Sequence, residues 1–102
     1  MIIVLTTTST KKDAEDISRS LLKDRLVACS QIMPIQSMYW WKDKIRKKGE
    51  YLCLFKTKDY KFSHVKRKIE DMHPYEVPEI VSLKVNKFSE AYLAWLNGEV
   101  KE

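Results

Sequence analysis

The run Glu50-Tyr51-Leu52-Cys53-Leu54-Phe55-Lys56-Thr57 is largely apolar on both faces of an alternating strand, which marks it as a central strand. Upstream, residues 27–41 are also extended and carry Ile32, Met33, Ile35, Met38, Tyr39, Trp40 and Trp41. Pro34 removes a backbone donor from that segment, so a bulge or a sheet edge is expected there. The polar residues 42–49 turn the chain, and the two segments make a hairpin. Before the hairpin, residues 2–7 are apolar and β-branched, a first strand. Thr10 and Asp13 then cap a helix bearing Ala14, Ile17, Leu21 and Leu22 and ending near Arg25. After the hairpin, Phe62, Val65, Ile69 and Met72 recur at helical spacing. Pro74 forces that second helix to stop at or before His73. Residues 79–85 read as a fourth strand. Ser89 caps a last helix with Ala91, Tyr92, Trp95 and Leu96, and Gly98 is its expected stop. The order βαββαβ plus a C-terminal helix is an α+β, ferredoxin-like arrangement, with both main helices on one sheet face.

That arrangement leaves the second sheet face uncovered although the middle strands are apolar on both sides. Three tryptophans and five tyrosines add to the excess, and self-association is the economical way to hide it. A chain of 102 residues with 44% hydrophobic content accommodates one domain, residues 1–102, with no linker or repeat. Lys and Arg outnumber Asp and Glu by 19 to 14, a net charge of +5. The excess is densest at residues 42–48 and 66–68 and reads as an ordinary solvated surface. The glycine-aromatic signature of an RNA-recognition sheet is absent, so no nucleic-acid partner is expected. No leader or membrane span is evident at the apolar start, and Cys29 and Cys53 form no Cys-x-x-Cys pair; a cytoplasmic protein without a membrane partner is expected.

Glycine-rich phosphate loops and Gly-x-Ser-x-Gly are missing, which removes the common enzymatic templates. Of the two histidines, His64 falls off the apolar helix stripe and should face solvent. His73 lies in a proline-stiffened loop beside Glu76 and Glu79. One reading makes the loop structural, with His73 capping the helix end and Glu79 in a salt bridge. The other brings one imidazole and up to two carboxylates together for a borderline metal or for proton transfer. Copper(II) heads the affinity order for such ligands.

The segment His73-Pro74-Tyr75-x-x-Pro78-Glu79-Ile80, with Leu26-x-Ala28-Cys29 and Ser37-x-Tyr39-x-Trp41, resembles the CutA divalent-cation-tolerance family. Lys44, Glu50, Lys56-Thr57 and Tyr92-Leu93-x-Trp95-Leu96 fall where that family has them, so the resemblance spans nearly the whole chain. It implies a homotrimer of ferredoxin-like subunits, similar in build to PII signalling proteins, with no established catalysis and a link to tolerance of copper and other divalent cations. It further implies a copper(II) site around His73 and Glu79, and interface roles for Tyr39, Trp41 and Trp95. The likeness to PII proteins implies an alternative function, small-molecule binding in inter-subunit clefts lined by Lys44, Glu50, Lys56 and Tyr75. Two departures matter. Thr6 stands where some relatives place a cysteine as third ligand, and threonine is a poor ligand for a borderline metal. Asp43 stands where many have glycine in the hairpin turn.

Overall fold

The computed structural model describes residues 1–102. The chain runs β1 (Ile2–Thr8), α1 (Lys11–Lys23), β2 (Cys29–Trp41), β3 (Lys44–Thr57), α2 (Phe62–Met72), β4 (Val81–Lys84) and α3 (Glu90–Glu99). The strands form one antiparallel sheet in the order β2-β3-β1-β4, the split βαβ arrangement. β3 is internal, paired with β1 and β2, and β2 is an edge. The edge is what admits Pro34: the β2–β3 register runs unbroken from Cys29↔Lys56 to Trp41↔Lys44, with no bulge.

Local chemistry explains the helix ends. Thr10 Oγ1 accepts the Asp13 N–H at 3.1 Å and starts α1. At its other end Arg25 takes φ 58. There the Leu26 N–H reaches the Leu21 carbonyl and the Arg25 N–H the Leu22 carbonyl, both at 3.0 Å. This is a Schellman closure with arginine where glycine is usual. α2 ends where Pro74 requires, with His73 extended at φ −76 and ψ 130. Between helices and sheet lies a core of Ile2, Val4, Ala14, Ile17, Leu21, Val27, Cys53, Phe55, Val65 and Ile69. Burial pushes the Cys53 thiol up to about 11, so it acts there as a small hydrophobe.

Four sequence expectations change. The turn occupies only Lys42 and Asp43, at φ 51 and 62, and residues 44–49 already belong to β3. Two successive left-handed residues are the mark of a type I′ hairpin turn, and Asp43 takes the conformation glycine would. β4 is shorter than residues 79–85. Its register, Leu5↔Val81 and Ile2↔Lys84, would next set Glu79 against Thr7, but the Thr7 carbonyl is taken by the His73 ring. Gly98 lies inside α3, which runs on to Glu99 and is anchored by Val100, 3% exposed. Finally, α3 covers part of the face opposite α1 and α2: Tyr92 Oη lies 3.6 Å from Cys29 Sγ, and Lys56 Nζ 5.6 Å from the Tyr92 ring. The rest of that face stays open, with Val81 and Leu83 47% and 55% exposed.

The α2 stripe is graded along its length, since Ile69 is fully buried while Met72 is 38% exposed. Ile69→Ala is expected to cost about 3 kcal/mol in denaturant unfolding, and Met72→Ala less than about 1 kcal/mol.

Candidate functional site

The loop of residues 73–80 lies over the end of β1 and the middle of β3, and one side chain holds it there. His73 is 8% exposed. Its Nε2–H donates to the Thr7 carbonyl at 2.7 Å, and its Nδ1 accepts the Tyr75 N–H at 3.1 Å. These two partners set a neutral imidazole with the proton on Nε2. The Tyr75 ring follows at 4.7 Å between centroids, tilted by 57°.

Tyr75 is the hub of a polar network. Its hydroxyl donates to Glu50 Oε2 at 2.5 Å and accepts from Lys48 Nζ at 3.0 Å. Because the phenolic proton goes to Glu50, Ser9 Oγ is the donor in its 2.8 Å contact with the same oxygen. Lys48 Nζ also stands 4.5 Å from the ring centroid, a cation–π contact. Burial raises the Tyr75 pKa above its ordinary value and the Glu50 hydrogen bond adds to the rise, while Lys48 and Ser9 oppose it. Glu50 is only 5% exposed. Burying a carboxylate is tolerable where it accepts a strong hydrogen bond with a cation nearby.

Beside the hub a cleft of about 540 Å³ opens on the sheet face away from α1 and α2. Glu50, Thr7 and Tyr39 line it from the sheet, and Tyr75, Val77 and Glu79 from the loop. The cleft therefore joins Glu79 to Glu50, whereas His73 sits behind the loop, turned to the backbone. Lys44 and Lys56 lie six residues from Glu50 in opposite directions along β3, about 20 Å each, so within one protomer neither reaches this cleft. Tyr39 and Trp41 alternate onto the same face and are half-buried, and Trp95 on α3 packs against Tyr92 with ring centroids 5.4 Å apart. His64 is exposed.

As a metal centre the protomer offers two carboxylates and no preformed cage. No group of three or more His, Cys, Asp or Glu side chains stands ready for an ion. Both His73 nitrogens are engaged with backbone, so the ring ligates only by giving up one of those bonds. Thr6 does not complete the set: it is fully buried on the opposite sheet face, and its Oγ1 has no hydrogen-bond partner. The carboxylates of Glu50 and Glu79 suit a partly hydrated divalent cation, with remaining positions open to water.

Lys48, Ser9 and the Thr7 carbonyl are contacts of the candidate site that sequence reading missed. Lys48 and Glu50 share a strand face at i and i+2, a signal hidden by treating residues 42–49 as turn.

Comparison with known proteins covers the whole chain. The profile of the family described as CutA1 divalent ion tolerance protein matches residues 2–99. The divalent-cation tolerance protein CutA of Pyrococcus horikoshii is 38% identical over 102 residues, all of both chains. That of Thermotoga maritima is 38% identical over 98% of this chain and 99% of its own. Among solved structures, CutA1 from Pyrococcus horikoshii superposes with a TM-score of 0.96 at 37% identity over all of both chains. The Archaeoglobus fulgidus protein, described as the periplasmic divalent cation tolerance protein CutA, gives 0.96 at 31% identity, covering 99% of this chain and 100% of that one.

Tyr75→Phe removes the donor to buried Glu50 and is expected to cost about 1–3 kcal/mol in unfolding. A raised folded pKa means that the Tyr75 contribution is complete below pH 10.0, the ordinary value, and is lost as pH rises through the folded one. Spectrophotometric titration of tyrosinate should accordingly lose a late-ionising phenol in the variant.

Proposed function

The chain belongs to the CutA1 divalent ion tolerance family, and from that premise we propose that it serves cation tolerance as a non-catalytic homotrimer with a weak copper(II) site. The observation that carries the site is the shared cleft of Glu50 and Glu79, one carboxylate nearly buried and the other exposed at the mouth. Glu79 and Glu50 are the direct ligands in this reading. His73 holds the loop that presents Glu79, and joins the coordination only by releasing Thr7 or Tyr75. Two carboxylates favour copper over other divalent ions by the general affinity order, with modest affinity because several positions are filled by water or by a neighbouring subunit.

The trimer is supported by the open sheet face. Ile3, Leu5, Leu52, Leu54, Val81 and Leu83 share it by strand alternation, and α3 shields only one end. An apolar surface of this kind is the ordinary signature of a permanent subunit contact, and Tyr39 and Trp41 extend it along the hairpin. Cys29 and Cys53 are free thiols, which favours a reducing, cytoplasmic setting.

Calorimetric titration with copper(II) tests the site. Wild-type protein should bind copper more tightly than zinc, and Glu79→Gln should lose at least tenfold in copper affinity. His73→Ala should weaken binding as well, through a loosened loop. Unchanged affinity in both variants would falsify the assignment. Sedimentation equilibrium tests the assembly: the expected mass is about three times the 12.1 kDa of the chain, and Leu83→Lys should shift it toward monomer.

A further inference from the structure

We propose that the outer end of the β2–β3 hairpin is a peripheral binding element for anionic lipid bilayers. Residues 42–48 contain Lys42, Lys44, Arg46, Lys47 and Lys48 against Asp43 alone. Five cations less one carboxylate make +4, so this segment holds most of the chain's net charge of +5. None of the five cations is in an ion pair. Lys48 is turned to Tyr75, but the other four, gathered at one end of a molecule 44 Å long, are a concentrated positive surface rather than a mixed, solvating one.

The same segment exposes apolar side chains on one side. The pairs Trp40↔Ile45 and Met38↔Lys47 put Met38, Trp40, Ile45 and Lys47 on one face of the ribbon, where the three apolar side chains are 72%, 72% and 65% exposed. Strand alternation sends Lys44, Arg46 and Lys48 to the other face, and Lys42 stands at the turn. An apolar face bearing tryptophan, backed by a lysine- and arginine-rich face, is the pattern of elements that lie in the headgroup region of a membrane. Tryptophan settles at the boundary between headgroup and acyl chain, Met38 and Ile45 enter beside it, and the cations meet anionic headgroups within a Debye length. The arm is already ordered, paired up to Trp41↔Lys44 and closed by a two-residue turn, so binding costs little conformational entropy.

Lipid suits these observations better than nucleic acid. Single-stranded binding needs exposed aromatic faces among the cations. Tyr39 and Trp41, which share the face of Lys44 and Arg46, are half-buried, whereas the exposed side offers Met38, Ile45 and a single ring with one cation, Lys47. The proposal rests on the outer end of the hairpin and does not depend on copper binding at Glu50 and Glu79, although Met38 lines that cleft and Lys48 borders it.

Co-sedimentation of the full chain with phosphatidylcholine vesicles, with or without one-third phosphatidylserine, tests it. Binding is expected only with phosphatidylserine at about 0.1 M salt, falling at least tenfold at about 0.5 M. Trp40→Ser with Ile45→Ser, both at exposed positions, should lower partitioning at least tenfold. Lys44→Glu with Lys47→Glu should abolish it, while Lys66→Glu with Arg67→Glu on α2, an equal change of charge, should leave it nearly intact. Equal loss in the two charge-reversed proteins overturns the proposal, because net charge alone would then explain binding. So does an absence of phosphatidylserine-dependent binding, or retention of a single-stranded oligonucleotide by a protein that ignores vesicles.

Discussion

A buried imidazole fastens the end of β1 to the loop that follows α2, and the geometry of the site depends on it. His73 spends its one N–H on the Thr7 carbonyl and its one lone pair on the Tyr75 N–H. The first bond occupies the backbone group that a longer β4 would have used. The second folds the loop back so that Tyr75 lies against Glu50 and Lys48. Pro74 and Pro78 stiffen the segment between, so few conformations remain once both bonds are made. A residue so fully used by the backbone acts on a cleft mainly by shaping it.

The second organising constraint is the two-sidedness of the sheet. α1 and α2 bury one face against Ile17, Leu21, Val65 and Ile69. On the other face α3 reaches only the end near Cys29 and Lys56, tied down by Arg25–Glu99 at 2.6 Å and by Lys101 N–H to the Arg25 carbonyl at 2.9 Å. An internal strand such as β3 is apolar on both sides because both sides are to be covered. The open apolar face and the cleft at its border are therefore framed by the same strands, β1 and β3, with Glu50 on β3 and Glu79 reaching it from the loop.

Much of the architecture was legible in residue order. The two-sided apolar run of residues 50–57, the stripe of Val65 and Ile69, the Thr10 cap and the stop at Pro74 are local signals, and each found its element. Their failures are physical as well. Residues 42–49 read as turn because they are polar, yet a hairpin arm that projects beyond the helices has no core to face and needs no apolar alternation. Gly98 read as a stop, but the core contact of Val100 outweighed the modest cost of a glycine in the last turn. Glu79 read as strand, and a side chain from six residues away claimed its partner.

The candidate site was legible as a list of residues more than as a set of contacts. Residue order was enough for the fold class, the stiff loop and the family, because capping, periodicity and motif spacing are encoded within short stretches of chain. It could not pair Glu79 with Glu50 and turn His73 toward the backbone, nor place Met38, Trp40, Ile45 and Lys47 on one side of the arm and Lys44, Arg46 and Lys48 on the other. Those outcomes depend on strand register and on which long-range hydrogen bond claims a given carbonyl, and both are settled by packing between segments far apart in sequence.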